Sequence, residues 1–579
     1  MDQSLPLEQA KPRALAALLT TLKTKRVTLA AAALTVLFLW LVSGLKVQAL
    51  FNQVLDDALY LQTASNLLKL KWLGVYNVRT LVKGPGYPAF LAVCALLRLP
   101  VLVAQAALYA GACAAFCAAV RPLLERAATR LSLYAALLCN PCSFAMTRIM
   151  RDWFYTSLVV LALASALALY LRRAQGVASR ENRWWLLGLV APLSVALITR
   201  EEGVWLLPFL LLLACATAAT IWQSPHFDRR RRLKDLLILG VGVPLLTFAP
   251  MVAVSALNAA AYKRVIVTEL TRPEFADAVG AVMRVRASKQ SQDVYVPRDA
   301  RERIYAVSPS FASLRDFFET KGRGFSCRGE LRLVADACRR IDADEIPMSW
   351  FVWALRTAAS DAGFHASARK AAGFYRTLAK EVNDACNGGR LQCLPARSSL
   401  IPPWQAQYPS LIARSFVRAL TYVANMQMQS ASVVATLRSQ SGGSTAQDHK
   451  LKIFRGEIAP FTGQVTGARA TQGGARLMVM DTLLWCYRRV LPFALGAAAL
   501  AIALLLIFSL RRRQFPDALM VPIALAVALV TRLVLIATVD ALSFPAINQY
   551  YLAPAFPIAL AFSFLALHAS GRLRMRPQG

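Results

Sequence analysis

The sequence has few charged residues, and few of these are acidic. Charged residues make up 17% of the 579-residue chain and hydrophobic residues 57%, whereas soluble proteins are about 25% charged. This composition excludes a disordered chain, because disorder requires low hydrophobicity, and it argues against a soluble enzyme. Only 32 Asp and Glu residues stand against 66 Lys and Arg, so the formal net charge is +34.

The apolar residues collect in runs of about 20, a length that crosses roughly 30 Å of hydrocarbon. They predict a polytopic α-helical membrane protein with about ten transmembrane helices. The run Tyr87–Leu97 is too short to cross, and we expect it to lie in the outer interface. The predicted spans are Val27–Leu45, Val101–Val120, Leu131–Met146, Trp153–Leu171, Trp184–Thr199, Gly203–Trp222, Leu236–Ala261, Val490–Leu510, Ala518–Val539 and Tyr550–His568.

Basic loops predict the orientation of these spans. If Tyr87–Leu97 does not cross, every even-numbered span ends in a loop rich in arginine, and such loops lie in the cytoplasm. Most of the positive charge therefore sets topology, and no basic surface carries the interleaved aromatics that stack on nucleic acid bases. We expect a multi-pass protein of a bacterial-type inner membrane, with both termini cytoplasmic and no nucleic acid partner.

This topology divides the chain into four parts. Residues 1–26 form a cytoplasmic N-terminus, and residues 27–261 form a transmembrane module whose first outer loop is 46–100. A mainly helical extracytoplasmic domain at 262–487 is inserted before the last three spans. Those spans occupy residues 488–579.

Four cysteines fall in the predicted outer domain, where an oxidising compartment favours disulfides. Cys386 and Cys393 flank an Asn-Gly-Gly turn that closes a short loop, so we predict that they pair. Cys327 and Cys338 remain as the second pair. One straight helix would hold these two about 16 Å apart, beyond disulfide reach, so the chain must bend between them.

The first outer loop contains two adjacent carboxylates. Gln53, Asp56, Asp57 and Tyr60 fall on one polar stripe at helical spacing, with Phe51, Val54, Leu55, Ala58 and Leu61 on the other side. This pattern predicts an amphipathic helix on the outer bilayer surface. Each carboxylate is then either a solvated surface charge or a general base that takes a proton from an acceptor hydroxyl or amine.

Basic residues on the outer side oppose the orientation rule, and charges at membrane depth are functional candidates. They are Lys83; Arg148 and Arg151, followed by Asp152; Arg200, followed by Glu201 and Glu202; and Arg532, inside the ninth span. Arginine binds phosphate in bidentate fashion, so a cluster of these residues would suit a lipid phosphate. The alternative is a set of structural ion pairs: Arg151 with Asp152, Arg200 with Glu201 or Glu202, and Arg532 with Asp540.

Several short motifs resemble those of type C glycosyltransferases, which include the protein O-mannosyltransferases and the lipid A aminoarabinose transferases. The motifs are Asp56-Asp57, Gly84-Pro85-Gly86-Tyr87-Pro88, Arg151-Asp152, Thr199-Arg200-Glu201-Glu202-Gly203 and Asn548-Gln549-Tyr550-Tyr551. The resemblance covers the first seven spans and the last. It implies a polyprenyl-phosphate-linked sugar donor, an active site at the outer face and an inverting mechanism, with a glycan, a lipid or a protein as acceptor.

The resemblance also implies roles for single residues. Asp56 or Asp57 would be the catalytic aspartate of the first loop, and Asp152 the second acidic position. Lys83 would match the lysine before the prolines, although this chain has Lys-Gly-Pro where the family more often has Lys-Pro-Pro. The remaining candidates are Arg148, Arg151, Arg200 and Arg532 for the departing phosphate, and Tyr60, Glu201, Glu202 and Tyr550 elsewhere in the site.

Some type C enzymes also use a divalent cation, so a metal is a further possibility. Carboxylate oxygens are the ligands that such hard cations prefer. Asp56, Asp57, Asp152 and Glu201 would supply them.

Two other functions fit the same spans. A transporter or flippase for a lipid-linked sugar would place polar residues deep in several helices, whereas most charges here lie at the outer boundary. A non-catalytic subunit of an envelope polysaccharide assembly system would tolerate the loss of both Asp56 and Asp57.

Overall fold

The structure is a computed structural model that describes residues 10–48, 56–270, 272–288, 293–328, 336–397, 404–436 and 474–574. This part of the chain is helical, and its β-structure is limited to isolated bridges, one of which pairs Gln48 with Arg148. The helices form two groups with separate hydrophobic cores.

The first group contains the apolar helices. They are α1 (Ala10–Ser43), α2 (Asp56–Leu68), α3 (Gly86–Leu96), α4 (Val101–Ala119), α5 (Ala127–Leu138), α6 (Asp152–Leu171), α7 (Arg183–Leu197), α8 (Leu207–Gln223) and α9 (Arg229–Tyr262, with a π-helical turn at Ile238–Gly242). After the inserted segment, three more helices complete the group. They are α15 (Ala475–Arg512), α16 (Asp517–Leu542) and α17 (Ala555–Arg574).

Seven helices in the described residues are long and apolar enough to cross a membrane, namely α1, α4, α6, α8, α9, α15 and α16. Helices α3 and α7 and the apolar part of α17 are shorter. The predicted span Leu131–Met146 is wrong as one continuous helix. Helix α5 ends at Leu138, and the chain turns through Asn140 and Pro141 because proline has no N–H to donate and the Asn140 side chain accepts a bond from the Cys142 N–H.

Helix α6 lies at the centre of the first group. Of its most apolar window, 89% is buried, far more than in the other long helices. Its sequence is rich in alanine, and small residues let neighbouring helices approach closely. Helices α4 and α7 pack on it. The first residue of this central helix is Asp152.

The second group lies in the inserted segment. Its helices are α10 (Pro273–Met283), α11 (Arg298–Val307), α12 (Met348–Asp361), α13 (Ala368–Asn387) and α14 (Tyr408–Ala424). Helices α10 to α13 share one core, in which α10 packs along α13. Helix α14 instead packs on α16 and adds Ala419 and Val423 to the core of the first group.

Both predicted disulfides form. The Cα atoms of Cys386 and Cys393 are 5.6 Å apart, and those of Cys327 and Cys338 are 5.4 Å apart. Cys338 lies in a short 3₁₀ helix. The predicted bend between Cys327 and Cys338 falls mostly on residues 329–335, outside the described part.

The predicted surface helix of the first loop is wrong. Five consecutive residues near the start of α2, from Asp57 to Leu61, are all buried, so this helix has no solvated polar face there. Helix α3 packs on it, and Arg148 reaches it from another part of the chain. Phe51, Gln53, Val54 and Leu55 of the predicted stripe lie outside the described residues.

Candidate active site

Residues from five other parts of the sequence meet around the first turn of α6. They come from α2, from the turn before α3, from the loop between α7 and α8, and from the facing turns of α16 and the segment before α17. The set includes every catalytic and phosphate-binding candidate from the sequence. Its members are Asp56, Asp57, Tyr60, Lys83, Arg148, Arg151, Asp152, Arg200, Glu201, Glu202, Arg532 and Tyr550.

Asp57 is fully buried and bound by Arg148. The Arg148 Nε atom lies 3.0 Å from both carboxylate oxygens, and its Nη2 atom lies 2.5 Å from Oδ1. Burial raises the pKa of Asp57, while the Arg148 guanidinium acts in the opposite direction. This bidentate pair joins the first loop to the segment just before α6.

A second, deeper network connects α6 with α16. The Arg200 guanidinium binds Asp152 with one nitrogen and Glu202 with the other, the latter at 2.9 Å. The second oxygen of Glu202 lies 3.0 Å from Nη1 of Arg532. Arg200 and Arg532 are 1% and 0% exposed. Each of these buried cations has a carboxylate partner, which offsets the cost of removing its charge from water.

Two of the predicted ion pairs are wrong, and the pairing of Arg200 with Glu202 is confirmed. Arg151 binds Glu201, at 3.2 Å, and the backbone oxygen of Thr199 instead of its neighbour Asp152. Asp540 pairs with Arg418 and caps the turn after α16, where it accepts bonds from Ser415 and the Ala546 N–H. Arg532 is therefore paired across helices, which helical spacing cannot reveal.

Lys83 lies in a turn that fits closely against the Arg200 loop. A Cβ atom on Gly84 would lie 2.0 Å from the Ile198 backbone oxygen, and one on Gly86 would lie 2.2 Å from the Thr199 hydroxyl. Only glycine permits this approach. The Lys83 ammonium acts electrostatically on Glu201, and it makes no salt bridge within the described part of the chain.

Asp56 differs from its neighbour Asp57. It lies at the start of α2, partly exposed, and interacts electrostatically with Arg151, Asp152 and Tyr551. Among the described residues it forms no salt bridge. The Tyr60 hydroxyl, one turn along α2, is buried without a hydrogen-bond partner in the described part of the chain and faces the same charges.

The loop carboxylates are held in their charged forms. Burial alone would raise the pKa of Glu202, but Arg200 and Arg532 lower it well below its usual range. Burial opposes ionisation of Glu201 in the same way, and Arg151 with Lys83 lowers its pKa. Both groups are therefore anions at neutral pH, and each offsets basic charge in the cluster.

Three aromatic residues complete the network, and two of them, Tyr155 and Trp205, are not among the candidates from the sequence. The Arg200 guanidinium lies 5.5 Å from the Tyr155 ring and 5.2 Å from the Tyr551 ring, and that of Arg532 lies 5.3 Å from Trp205. Arg532 also donates to the Tyr551 backbone oxygen. Tyr551 belongs to the Asn-Gln-Tyr-Tyr motif, so that motif was the available signal, but Tyr155 and Trp205 resemble ordinary core residues.

The carboxylates do not gather into a metal site. Within the described ranges, no three His, Cys, Asp or Glu side chains are placed to hold one ion together. Three of the four proposed ligands, Asp57, Asp152 and Glu201, are instead bound by arginines.

An apolar cavity of about 220 Å³ begins beside the network and extends between α6, α7, α8 and α9. Tyr155 and Gly203 line the end near the charges, next to Arg200 and Glu202. Leucine and alanine side chains form most of the remaining wall. The charged cluster thus adjoins a cavity suited to a hydrocarbon chain.

The motif resemblance is accompanied by one structural match. A scan against protein families finds no match, and neither does a search of curated proteins. A search of solved structures matches ArnT from Cupriavidus metallidurans in the apo state, with a TM-score of 0.32 and 16% identity over 95% of this chain and 78% of that chain. With so low a TM-score and identity, the match is a statement of likeness and supports no conclusion about this chain.

Proposed function

We propose that the chain is an inverting glycosyltransferase that moves a sugar from a polyprenyl-phosphate-linked donor to an acceptor at the outer face of the inner membrane. The observation that carries this proposal is a partly exposed carboxylate, Asp56, that forms no salt bridge among the described residues and lies beside a cluster of basic residues that adjoins an apolar cavity. This arrangement supplies a base, a phosphate site and a lipid site together. The motif resemblance favours the same chemistry.

The donor would lie with its isoprenoid tail in the cavity between α6 and α9 and its phosphate at the charged end. Lys83 is the best placed cation for that phosphate, because it forms no salt bridge in the described structure and only a longer-range electrostatic interaction with Glu201. Arg148 and Arg151 each retain donors beyond those that bind Asp57 and Glu201. These three residues would neutralise the phosphate without breaking the deeper network.

In the reaction, the acceptor hydroxyl or amine attacks the anomeric carbon from the face opposite the phosphate. The bond between that carbon and the phosphate oxygen breaks as the new bond forms, which inverts the anomeric configuration. Asp56 takes the acceptor proton, and the phosphate leaves with the bonding electron pair. Lys83, Arg148 and Arg151 stabilise the charge that builds on it.

The acidic residues that form salt bridges with arginines have a different role in this proposal. Asp57 holds Arg148 in place, and Asp152 with Glu202 holds Arg200 and Arg532. We assign these residues to positioning, because their carboxylates are already bound by arginine guanidinium groups. This assignment favours Asp56 over Asp57 as the base.

The test compares D56N with D57N in purified protein, with sugar transfer from a polyprenyl-linked donor as the readout. Loss of a general base lowers kcat by about 10²- to 10⁴-fold, and we expect D56N to fall in that range with its thermal stability kept. We expect D57N to lose stability as well as activity, because it leaves Arg148 without its partner. Asp316, an exposed acid of the inserted segment, provides the matched control D316N.

Three results would contradict the proposal. Full activity of D56N would show that Asp56 is not the base. Full activity of the double variant D56N/D57N would show that neither aspartate is catalytic. A protein that moves the intact lipid-linked sugar across a vesicle membrane without forming product would be a transporter.

A further inference from the structure

A second charged pocket lies in the inserted segment, separate from the candidate active site. Its volume is about 570 Å³, and it is formed by the chain after α9, the start of α10 and one face of α13. Its charged lining consists of Arg264, Arg272, Glu274, Asp277 and Arg376. Nothing in the proposed transfer reaction uses these residues.

The arginines of this pocket are only partly satisfied. Arg264 and Arg376 share a single carboxylate oxygen, that of Glu274, at 2.7 and 3.5 Å. Arg272 donates to the Val265 backbone oxygen at 3.3 Å. The Nε atom of Arg264 is buried without a hydrogen-bond partner in the described structure. Three guanidinium groups therefore retain donors that an anionic group with several oxygens would accept.

Asp277 provides the opposite charge in the same pocket. It lies one turn after Glu274 on α10 and forms no salt bridge within the described ranges. Burial, and then the neighbouring Glu274 carboxylate, raise the pKa of Asp277. A cationic ligand group beside Asp277 would offset that repulsion.

The pocket lies just beyond the end of a helix that is apolar enough to span a membrane. Helix α9 is apolar enough to span a membrane and ends at Tyr262, two residues before Arg264. Val265, which also lines the pocket, is 73% exposed. A basic pocket with an exposed apolar residue at the end of a span matches the boundary between hydrocarbon and headgroups.

We propose that this pocket binds the zwitterionic headgroup of a phospholipid, with the phosphate on Arg264, Arg272 and Arg376 and the ammonium group on Asp277. The proposal goes beyond the transfer reaction and does not depend on it. It predicts selectivity for a headgroup that carries both a phosphate and a primary amine.

The experiment measures lipid binding to the full-length, delipidated protein by native mass spectrometry. The probes are short-chain phosphatidylethanolamine, short-chain phosphatidylglycerol and the soluble O-phosphoethanolamine. We expect phosphatidylethanolamine to bind most tightly. R272A/R376A should weaken it by at least about tenfold, since hydrogen bonds to charged groups are lost. D277N should remove the preference over phosphatidylglycerol and leave binding of the latter intact.

The control is R315A/R414A, which removes the same charge from exposed positions outside the pocket. Equal affinity of the wild type and R272A/R376A would overturn the site, and equal binding of the two lipids by the wild type would overturn the role of Asp277. If O-phosphoethanolamine bound as tightly as the lipid, the ligand would be soluble and the lipid assignment wrong. Sugar transfer is not the readout, so failure here leaves the proposed function untouched.

Discussion

Glu202 joins two buried arginines in the charged network. Its two oxygens bind two different arginines, Arg200 and Arg532, and both guanidinium groups are almost completely buried. Burying one such cation without a partner costs several kcal/mol. The Glu202 carboxylate therefore interacts with two buried positive charges and lowers the free-energy cost of burying both.

We predict that E202Q destabilises the protein by about 3–5 kcal/mol, the range for breaking a buried pair. The measurement is the thermal unfolding midpoint in detergent. E302Q provides the control, because Glu302 pairs with Arg315 on an exposed surface, where such a pair contributes about 0–1 kcal/mol. Equal midpoints for E202Q and E302Q would show that Glu202 does not support the network.

The same residue gives a pH prediction. Arg200 and Arg532 outweigh burial and lower the pKa of folded Glu202, so its contribution is complete above the unfolded pKa of about 4.3. The contribution should shrink as the pH falls from there toward the folded pKa. The difference in unfolding midpoint between wild type and E202Q is thus expected to be constant from pH 7 to about 5 and smaller at about pH 3.5. A difference that grew on acidification would contradict this sign.

At the scale of elements, the loop between α2 and α3 is held by helix α12 of the inserted segment. Arg356, which is fully buried, binds Glu269 at 2.9 Å and donates to the backbone oxygens of Val78 and Thr80. Glu269 accepts from the Tyr76 hydroxyl at 2.8 Å. Leu81 has a φ of +61°, a costly conformation that persists only when its surroundings enforce it. The inserted segment therefore shapes the loop that carries Lys83.

We predict that R356M loosens this loop. Trypsin should cleave after Arg79 or Lys83 about tenfold faster or more, the factor that 1.4 kcal/mol of lost local stability gives. The donor KM should rise, since Lys83 loses its fixed position. R303M, which breaks an exposed pair with Asp299, is the control. Cleavage that rose equally after Arg369, on α13, would indicate general unfolding and contradict a local role.

The sequence predicted the members of the site better than their geometry. Charges are rare in apolar surroundings, so Arg148, Arg200 and Arg532 stood out without a structure. Their partners did not, because Glu202 reaches Arg532 across helices, whereas the predicted partner Asp540 was chosen by spacing along one helix. The burial of α2 is missed for the same reason: a polar stripe at helical spacing reports polarity, and the contacts that enclose Asp57 come from residues far along the chain. The close fit of Gly84 against Ile198 likewise depends on tertiary approach.

At the scale of the whole molecule, the charged cluster and the apolar cavity would bind two different parts of the proposed donor. The cluster would hold the phosphate and sugar, while the cavity between α6 and α9 would hold the tail. These two contributions are separable, because an apolar tail gains about 0.8 kcal/mol for each buried CH₂ and contributes nothing to the charge that develops during transfer. A change in the cavity should thus affect the binding of the donor and leave the chemical step intact.

We predict that A214W, which places an indole in the cavity, raises the KM for a long-chain polyprenyl donor by about tenfold or more, as the loss of one or two buried CH₂ groups requires. Its kcat/KM for a donor analogue with one isoprene unit should equal that of the wild type. C215W is the matched control, because Cys215 is the next residue on α8 and is exposed outside the cavity. Equal effects of A214W on long and short donors would place the tail elsewhere, since filling the cavity can discriminate chain length only if the chain enters it.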